Sequence, residues 1–333
     1  MKVLFKAKVL ALAALVSALG AAWSWAQDVV IEEIVVTAQK RAQAIDDVPL
    51  SIEAASEQQL KDQTIYQMKE LSAVSPNLTM AASFTGYANT YSGRGIIGQT
   101  NLDPVVSFYL DDVPFAWLGA GWSPNANLAD IERIEVINGP QGTLYGQGAM
   151  GGTVRVITVD PDSQEFSGKV RFAGSTTKDG DPSYGGDVVL NVPLAEDVAA
   201  ARLVYSRQEQ GGFIDHPNIG LLSGAPSEVK DANDAEYEDV RLKVMVTPND
   251  NLTLKASYWR SEAESPYGDL TDYDTTDRKF SAQFLHTNVG ETKTDAGSVS
   301  ISYDFENFNV FNSVSLLDGY LDQFATALGI LGT

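Results

Sequence analysis

From Asp160 onward the sequence keeps to one rule: apolar residues recur at every second position over runs of about ten residues, separated by polar loops. Leu242, Val244 and Val246 alternate with Lys243, Met245 and Thr247. Leu252, Leu254, Ala256 and Tyr258 alternate with Thr253, Lys255, Ser257 and Trp259, and Val299, Ile301, Tyr303 and Phe305 with Ser298, Ser300 and Ser302. Successive side chains of a strand point to opposite faces, so the pattern predicts strands with one apolar and one polar face. Seven are expected, at 166–175, 184–192, 198–209, 236–247, 251–261, 296–305 and 308–321. A soluble antiparallel sandwich alternates in the same way as a membrane barrel, and the connections separate the two. Short ones at 193–197, 248–251 and 306–307 interleave with longer ones at 176–183, 211–235 and 262–295. All long loops then fall on one side, as in outer-membrane barrels.

The first residues carry an address. Lys2, Lys6 and Lys8 precede an apolar run over 9–22, and Ser24-Trp-Ala26 sets small residues for cleavage after Ala26. The run is too short to span a bilayer comfortably, so 1–26 reads as an export signal. The chain carries a net charge of −21, which argues against nucleic-acid binding, because phosphate affinity comes from Lys and Arg. Without cysteine there is no disulfide and no thiolate metal site.

Residues 44–128 read as a small α/β unit. A strand is expected at 48–54, a helix from Ser56 with that residue as N-cap, a second helical turn over 64–71, and a hairpin at 105–114 turning on Asp111-Asp112. No catalytic constellation is present: there is no H-E-x-x-H, no Ser-His-Asp set, and no histidine before His216. His216 and His286 are isolated and read as exposed loop residues. The carboxylates Glu262, Glu264, Asp269, Asp272, Asp274 and Asp277, with Asp234 and Glu236 upstream, could attract Ca²⁺. Their spacing matches no EF-hand, so a solvated outer loop is expected, with no metal and no cofactor.

Between Ala129 and Thr158 lies the most distinctive stretch. A half-buried strand over 131–137 leads into 139–152, where six glycines and a proline occupy fourteen residues, and β-branched alternation resumes at Thr153. Gly146-Gln-Gly-Ala-Met-Gly151 fits the dinucleotide pattern G-x-G-x-x-G. That motif works by aiming a helix N-terminus at pyrophosphate, whereas a strand follows here, so phosphate binding is not expected. Upstream, 27–43 holds a β-prone run that could add to a partner's sheet or form the domain's own first strand.

Taken together these segments resemble the TonB-dependent outer-membrane receptors. The residues that carry the resemblance are Asp130-Ile-Glu-Arg-Ile-Glu-Val, Gly139-Pro-Gln-Gly-Thr-Leu-Tyr-Gly146 and Gly151-Gly152, which are similar to the family's plug signature. Val48-Pro-Leu-Ser-Ile, Ser75-Pro-Asn and Gly93-Arg-Gly-Ile96 match further plug motifs, and Glu33-Ile-Val-Val-Thr-Ala38 resembles a TonB box. Asn138 and Gln147 depart from the family, which commonly has Arg before Gly-Pro and Arg or Ser at the second position.

The resemblance implies a TonB-box segment at 27–43, an α+β plug domain at 44–160, and the N-terminal portion of an antiparallel transmembrane β-barrel at 161–333. Plugged transporters of this kind have 22 strands, so about seven make an incomplete barrel and the chain is expected to be part of a longer protein. It further implies active uptake of a scarce substrate across the bacterial outer membrane. TonB would be the partner, energised through ExbB and ExbD, with outer-membrane lipid around the wall. The most common cargo is a ferric siderophore; cobalamin, haem, oligosaccharides and plant aromatics are others. With the box so near the cleavage site, no signalling domain is expected. A passive porin or an adhesin is the alternative.

Residue roles follow from the same resemblance. Glu33, Ile34, Val35, Val36, Thr37 and Ala38 are expected to meet TonB, and Arg94, Gly95, Gly139, Pro140, Gly142, Gly146, Gly151 and Gly152 to shape the plug. That loop is also expected to act as a packed hinge between plug and barrel. Glu132, Arg133, Glu135 and Arg155 are expected as polar links from plug to barrel wall, or otherwise as a solvated strand face. Phe84, Tyr87, Tyr91, Trp117 and Trp122 are candidates for substrate contact, or for ordinary packing.

Overall fold

The computed structural model describes residues 35–63, 65, 68–82, 88–98, 102–115, 123–124, 127–215, 230–265, 272–274, 279–281 and 289–324. Its first strands are β1 (Val35–Val36) and β2 (Gln43–Ala44), which pair antiparallel. Next come β3 (Ile52–Ser56), helix α1 (Glu57–Asp62), β4 (Leu78–Ala82), β5 (Ala88–Gly93), β6 (Val106–Leu110), β7 (Val113–Pro114) and β8 (Ser123–Pro124). β9 (Ile131–Asn138), the one-turn helix α2 (Gly142–Tyr145) and β10 (Gly152–Thr158) complete the domain. Five strands form its central sheet in the order β3-β9-β10-β6-β7, with only β6 and β10 parallel, and β4-β5-β8 form a second sheet.

Local chemistry sets the boundaries. Ser56 caps α1 in a reciprocal capping box with Gln59, as expected of an N-cap serine at this position. The strand expected at 48–54 is β3, which begins at Ile52 rather than Val48, because Ile45–Asp47 form a 3₁₀ turn closed by the Val48 N–H, and Pro49 has no N–H to give a ladder. The second helical turn is a 3₁₀ segment at Met68–Ala73. The hairpin forms as expected, with Asp111 at φ 50° in the β6–β7 turn. Phe108, Phe115, Met68, Leu71, Ile131 and Ile134 are almost fully buried between the central sheet and the elements packed on it.

A seven-stranded antiparallel sheet follows: β11 (Ser167–Thr176), β12 (Pro182–Ala195), β13 (Ala199–Gln210), β14 (Ala235–Asn249), β15 (Leu252–Ser265), β18 (Val289–Asp304) and β19 (Asn309–Phe324), in that order. The sheet is open, and all seven expected strands are present. Most run further into the long loops than expected. There the outward positions are charged, as at Glu262, Glu264, Glu291 and Lys293, so apolar alternation stops before the strand does. Glu262 and Glu264 thus belong to a strand rather than a loop, and a small hairpin, β16 (Asp272–Asp274) with β17 (Lys279–Ser281), lies between β15 and β18. On the outer face Val170, Phe172, Leu190, Leu203, Leu242 and Val314 are exposed, as a lipid-facing belt requires.

The glycine-rich loop does not join the two sheets. It closes β9 onto β10 within one sheet, and the chain passes to the wall through 159–166. Because β10 rather than a helix starts after Gly151, no helix N-terminus exists there to hold phosphate. Gly151 is needed for another reason. A Cβ on Gly93 would lie 2.7 Å from the Gly151 carbonyl oxygen, and one on Gly151 3.0 Å from that of Gly93. Gly142, expected to be structural, opens α2 with nothing within 4 Å of a Cβ. Gly93→Ala is therefore expected to destabilise the folded protein by about 1–3 kcal/mol through overpacking. Gly142→Ala should stay within about 0.5 kcal/mol of wild type. Thermal unfolding of the two variants in detergent measures the contrast.

Candidate functional site

Two sets of polar contacts organise the domain. The first holds the N-terminal segment. Glu135 on β9 is fully buried and takes Arg155 Nη1 at 2.7 Å on one oxygen and Arg133 Nε at 2.9 Å on the other. The Thr37 N–H donates to Glu135 Oε1 at 2.8 Å, and Arg155 and Arg133 donate to Thr37 Oγ1 at 2.7 and 3.2 Å. Tyr145, from α2 in the glycine-rich loop, donates its hydroxyl to the Ala38 carbonyl at 2.6 Å. Val36 and Ala38 are fully buried beneath this clasp. Lys40 completes it, paired with Asp112 at 3.4 Å and lying over the Tyr109 and Tyr145 rings. Burial pulls Lys40 below the ordinary lysine value, against the opposing pull of Asp112. Burial likewise pushes the Tyr145 hydroxyl up to about 12, so it stays a donor at neutral pH.

The second set ties the domain to the inner face of the wall. Arg202 on β13 grips Asp130 with two bonds of 2.7 Å. Lys243 on β14 reaches Asp111 at 3.1 Å, Asp160 at 3.2 Å and the Thr158 carbonyl at 3.2 Å, and Lys255 on β15 reaches Asp160 at 2.5 Å. Arg241 donates to the Ala129 carbonyl, and Trp259 packs edge-on to Phe115 at 4.5 Å while donating Nε1–H to Asp239. Lys169 on β11 meets Glu57 of α1 at 2.9 Å. Burial would raise the Asp160 carboxyl, but Lys243 and Lys255 outweigh it and hold it below the ordinary value. A small cavity of about 30 Å³, lined by Asp111, Asp130, Arg202 and Lys243 among others, marks this seam.

A domain seated by charged pairs against the inner face of a membrane sheet agrees with the family comparison. The family model described as TonB-dependent Receptor Plug Domain matches residues 44–153. Residues 44–153 are therefore a TonB-dependent receptor plug domain. The pesticin receptor of Yersinia pestis is 30% identical to this receptor over 191 residues, 56% of this chain and 27% of that one. The ferripyoverdine receptor of Pseudomonas aeruginosa is 26% identical over 186 residues, 55% of this chain and 21% of that one. Among solved structures, the ferric yersiniabactin uptake receptor from Yersinia pestis overlays with a TM-score of 0.70 at 22% identity, over 84% of this chain and 42% of that one, a likeness of fold. The chain thus spans less than half the length of these relatives. It is an outer-membrane protein.

The receptor rearranges several expectations. Glu132, Arg133, Glu135 and Arg155 do not reach the wall. β9 and β10 point them at one another and at Thr37, because that face of the sheet is covered by the N-terminal segment. The wall contacts fall instead to Asp111, Asp130 and Asp160. Their partners Arg202, Lys243 and Lys255 were visible as charged positions on strands whose other face is apolar, but nothing in the sequence names which carboxylate each meets. Asn138 and Gln147, the two departures from the family pattern, find partners inside the plug, at Glu53 (3.2 Å) and Asp103 (2.6 Å).

Tyr91 is not a ligand contact: it stacks on Phe108 at 6.2 Å in the core, 3% exposed, and burial raises its hydroxyl. Phe84, Tyr87, Trp117 and Trp122, with Glu33 and Ile34, lie outside the described residues. Arg94 and Gly95, both at positive φ, make the tight turn closing Gly93 onto Ile96. Gly139 bonds across the loop to Gly151, Gly146 turns the chain at φ 65°, ψ −147°, Gly152 opens β10, and Pro140 is exposed.

The lowered Asp160 carboxyl fixes a sign. A carboxylate held below its unfolded value adds stability above the ordinary carboxylate range and loses it as pH falls through the lowered value. Asp160→Asn is therefore expected to be less stable than wild type at pH 7, with the difference shrinking progressively once pH falls below about 4. Thermal midpoints of both proteins across that range check it. Tyr145→Phe, which removes the bond to Ala38, is expected to raise maleimide labelling of a Val36→Cys reporter several-fold over the reporter alone.

Proposed function

We propose that this receptor takes part in TonB-dependent active uptake of a ferric siderophore across the outer membrane. The observation that carries the reading is the plug, seated on the inner face of the wall by Arg202–Asp130 and by Lys243 with Asp111 and Asp160. A wall whose inner face is taken up by a domain tied in this way favours energised uptake over a passive porin or an adhesin. Relatives named for siderophores support the cargo class: the ferripyoverdine receptor, and the ferric yersiniabactin uptake receptor among structures. Iron enters here as cargo, and the chemistry is non-covalent.

In this reading 1–26 is removed on export, 27–43 is the TonB-binding segment, 44–160 is the plug and 161–333 belongs to the barrel. Residues Glu33 to Ala38 would pair with TonB as an added strand, main chain to main chain. ExbB and ExbD would relay the inner-membrane proton gradient. Since Val36 and Ala38 are buried under the clasp, the segment must leave Glu135, Arg155 and Tyr145 before such pairing can extend along it.

Deleting residues 33–38 is expected to abolish energised uptake of iron chelate by cells while leaving chelate binding at the surface intact. Uptake that persists at the wild-type rate after the deletion, or that survives collapse of the proton gradient, would sink the proposal and favour a passive pore.

A further inference from the structure

The lipid-facing side of the wall is not uniform. Across β14, β15, β18 and β19 register sets two outward rows one above the other. Leu242, Tyr258, Gly297 and Leu316 form the row nearer the long loops, and Val244, Ala256, Val299 and Val314 the row below it. Bulky residues stand at both sides, on β14 and β19, three strand spacings or about 14 Å apart. Between them Gly297 has no side chain and Ala256 only a methyl group, on adjacent strands and in adjacent rows. They leave an open groove of about 400 Å³ that runs obliquely over the backbone, flanked by Tyr258 and Val299. A Cβ on Gly297 would touch only the Ser257 carbonyl oxygen, at 3.8 Å.

Polar groups stand directly above the groove. Asp295 follows Gly297 up β18, and Asp318 follows Leu316 up β19. Register places these two carboxylates opposite one another on the outward face. Like charges in that position repel across a strand pair. The neighbouring cations are committed elsewhere. Arg260 binds Glu262 at 2.8 Å and lies 4.0 Å from Asp295, and Lys293 binds Glu291 at 2.7 Å. Tyr258 donates its hydroxyl to Asp295 at 2.5 Å. One guanidinium thus faces three carboxylates at the mouth. Tyr205, Tyr258 and Tyr320 are exposed on the outward face at this level, as in the aromatic girdle where a barrel meets headgroups.

We propose that the groove holds one acyl chain of a membrane lipid whose headgroup carries an ammonium group, with that group seated between Asp295 and Asp318. In hydrocarbon a lipid tail gains nothing by exchanging other tails for leucine, so apolar character alone selects no lipid. Shape selects it. A void against the backbone forfeits dispersion contacts, and a chain laid over Gly297 and Ala256 restores them. The mouth then selects the headgroup. An ammonium relieves the repulsion between the two carboxylates, whereas an anionic headgroup adds to it.

The test is native mass spectrometry of the full chain folded in detergent micelles, with equal amounts of phosphatidylethanolamine and phosphatidylglycerol of matched acyl chains. One phosphatidylethanolamine is expected to be retained per chain, at least about tenfold over phosphatidylglycerol. Gly297→Leu fills the groove from β18 and Ala256→Leu fills it from β15. Each is expected to lower retention of both lipids at least about tenfold. Gly168→Leu, on the outward face of β11 away from the groove, should retain lipid as wild type does. Asp318→Asn should keep the lipid and lose most of the preference for phosphatidylethanolamine. Thermal midpoints near wild type confirm that the variants fold.

Equal retention of the two lipids by wild type would overturn the headgroup assignment, and so would an unchanged preference in Asp318→Asn. Wild-type retention in both Gly297→Leu and Ala256→Leu would show an unselected lipid shell and overturn the site. A dimer that Gly297→Leu dissolves would show that a second copy of the chain covers the groove, which overturns it equally.

Discussion

A carboxylate with no exposure to solvent cannot be left alone, and Glu135 sits at the centre of the plug in that condition. Two guanidinium groups, from Arg133 and Arg155, face it, and the remaining bonding capacity is met by the backbone N–H of Thr37. The N-terminal segment is therefore part of what satisfies a buried charge. When it leaves, Glu135 loses a donor and both arginines lose the Thr37 hydroxyl. Binding of the segment and the electrostatic balance of the sheet are thus one equilibrium, in which docking supplies the missing bonds and undocking exposes the deficit to water.

The same economy links the segment to the wall. Adjacent carboxylates in one turn face different partners: Asp111 meets Lys243 of the wall and also accepts from Thr158, and Asp112 meets Lys40 of the N-terminal segment. The plug sheet lies between, with β6 and β10 pairing beneath the turn. Two residues therefore connect the membrane-embedded sheet to the segment proposed to engage the energy source.

Much of this fold could be read from alternation alone, because a strand with lipid on one side and protein on the other leaves a dyad pattern. Lys243 between Leu242 and Val244 is enough to say which face is inward. Strand ends above the lipid were legible only in part, since Glu262 and Glu264 face solvent and leave no apolar signal. At the site, the polar character of Glu135 and Arg155 was legible but their partner was not. Parity tells which side of a sheet a residue occupies, and nothing about what lies across from it. Tyr145 and Ala38 are 107 positions apart, and only the closed fold brings them together. For Tyr91, an aromatic in a polar, glycine-containing stretch reads as a surface residue until β5 is seen packed against Phe108.

The register of the wall also limits how such a chain can vary. In β14 the residues Asp239, Arg241 and Lys243 share the inward face, and Val240, Leu242 and Val244 the outward one. Removing one residue from the middle of that strand would turn every side chain beyond the lesion to the other face, placing ammonium and guanidinium groups in hydrocarbon and valines against the plug. Length changes can be absorbed by the long loops, by a bulge such as those already near Pro193 and Val246, or in steps of two. Variation in this receptor is thereby channelled toward the outer rim, where new contacts can arise without disturbing the seating of the plug.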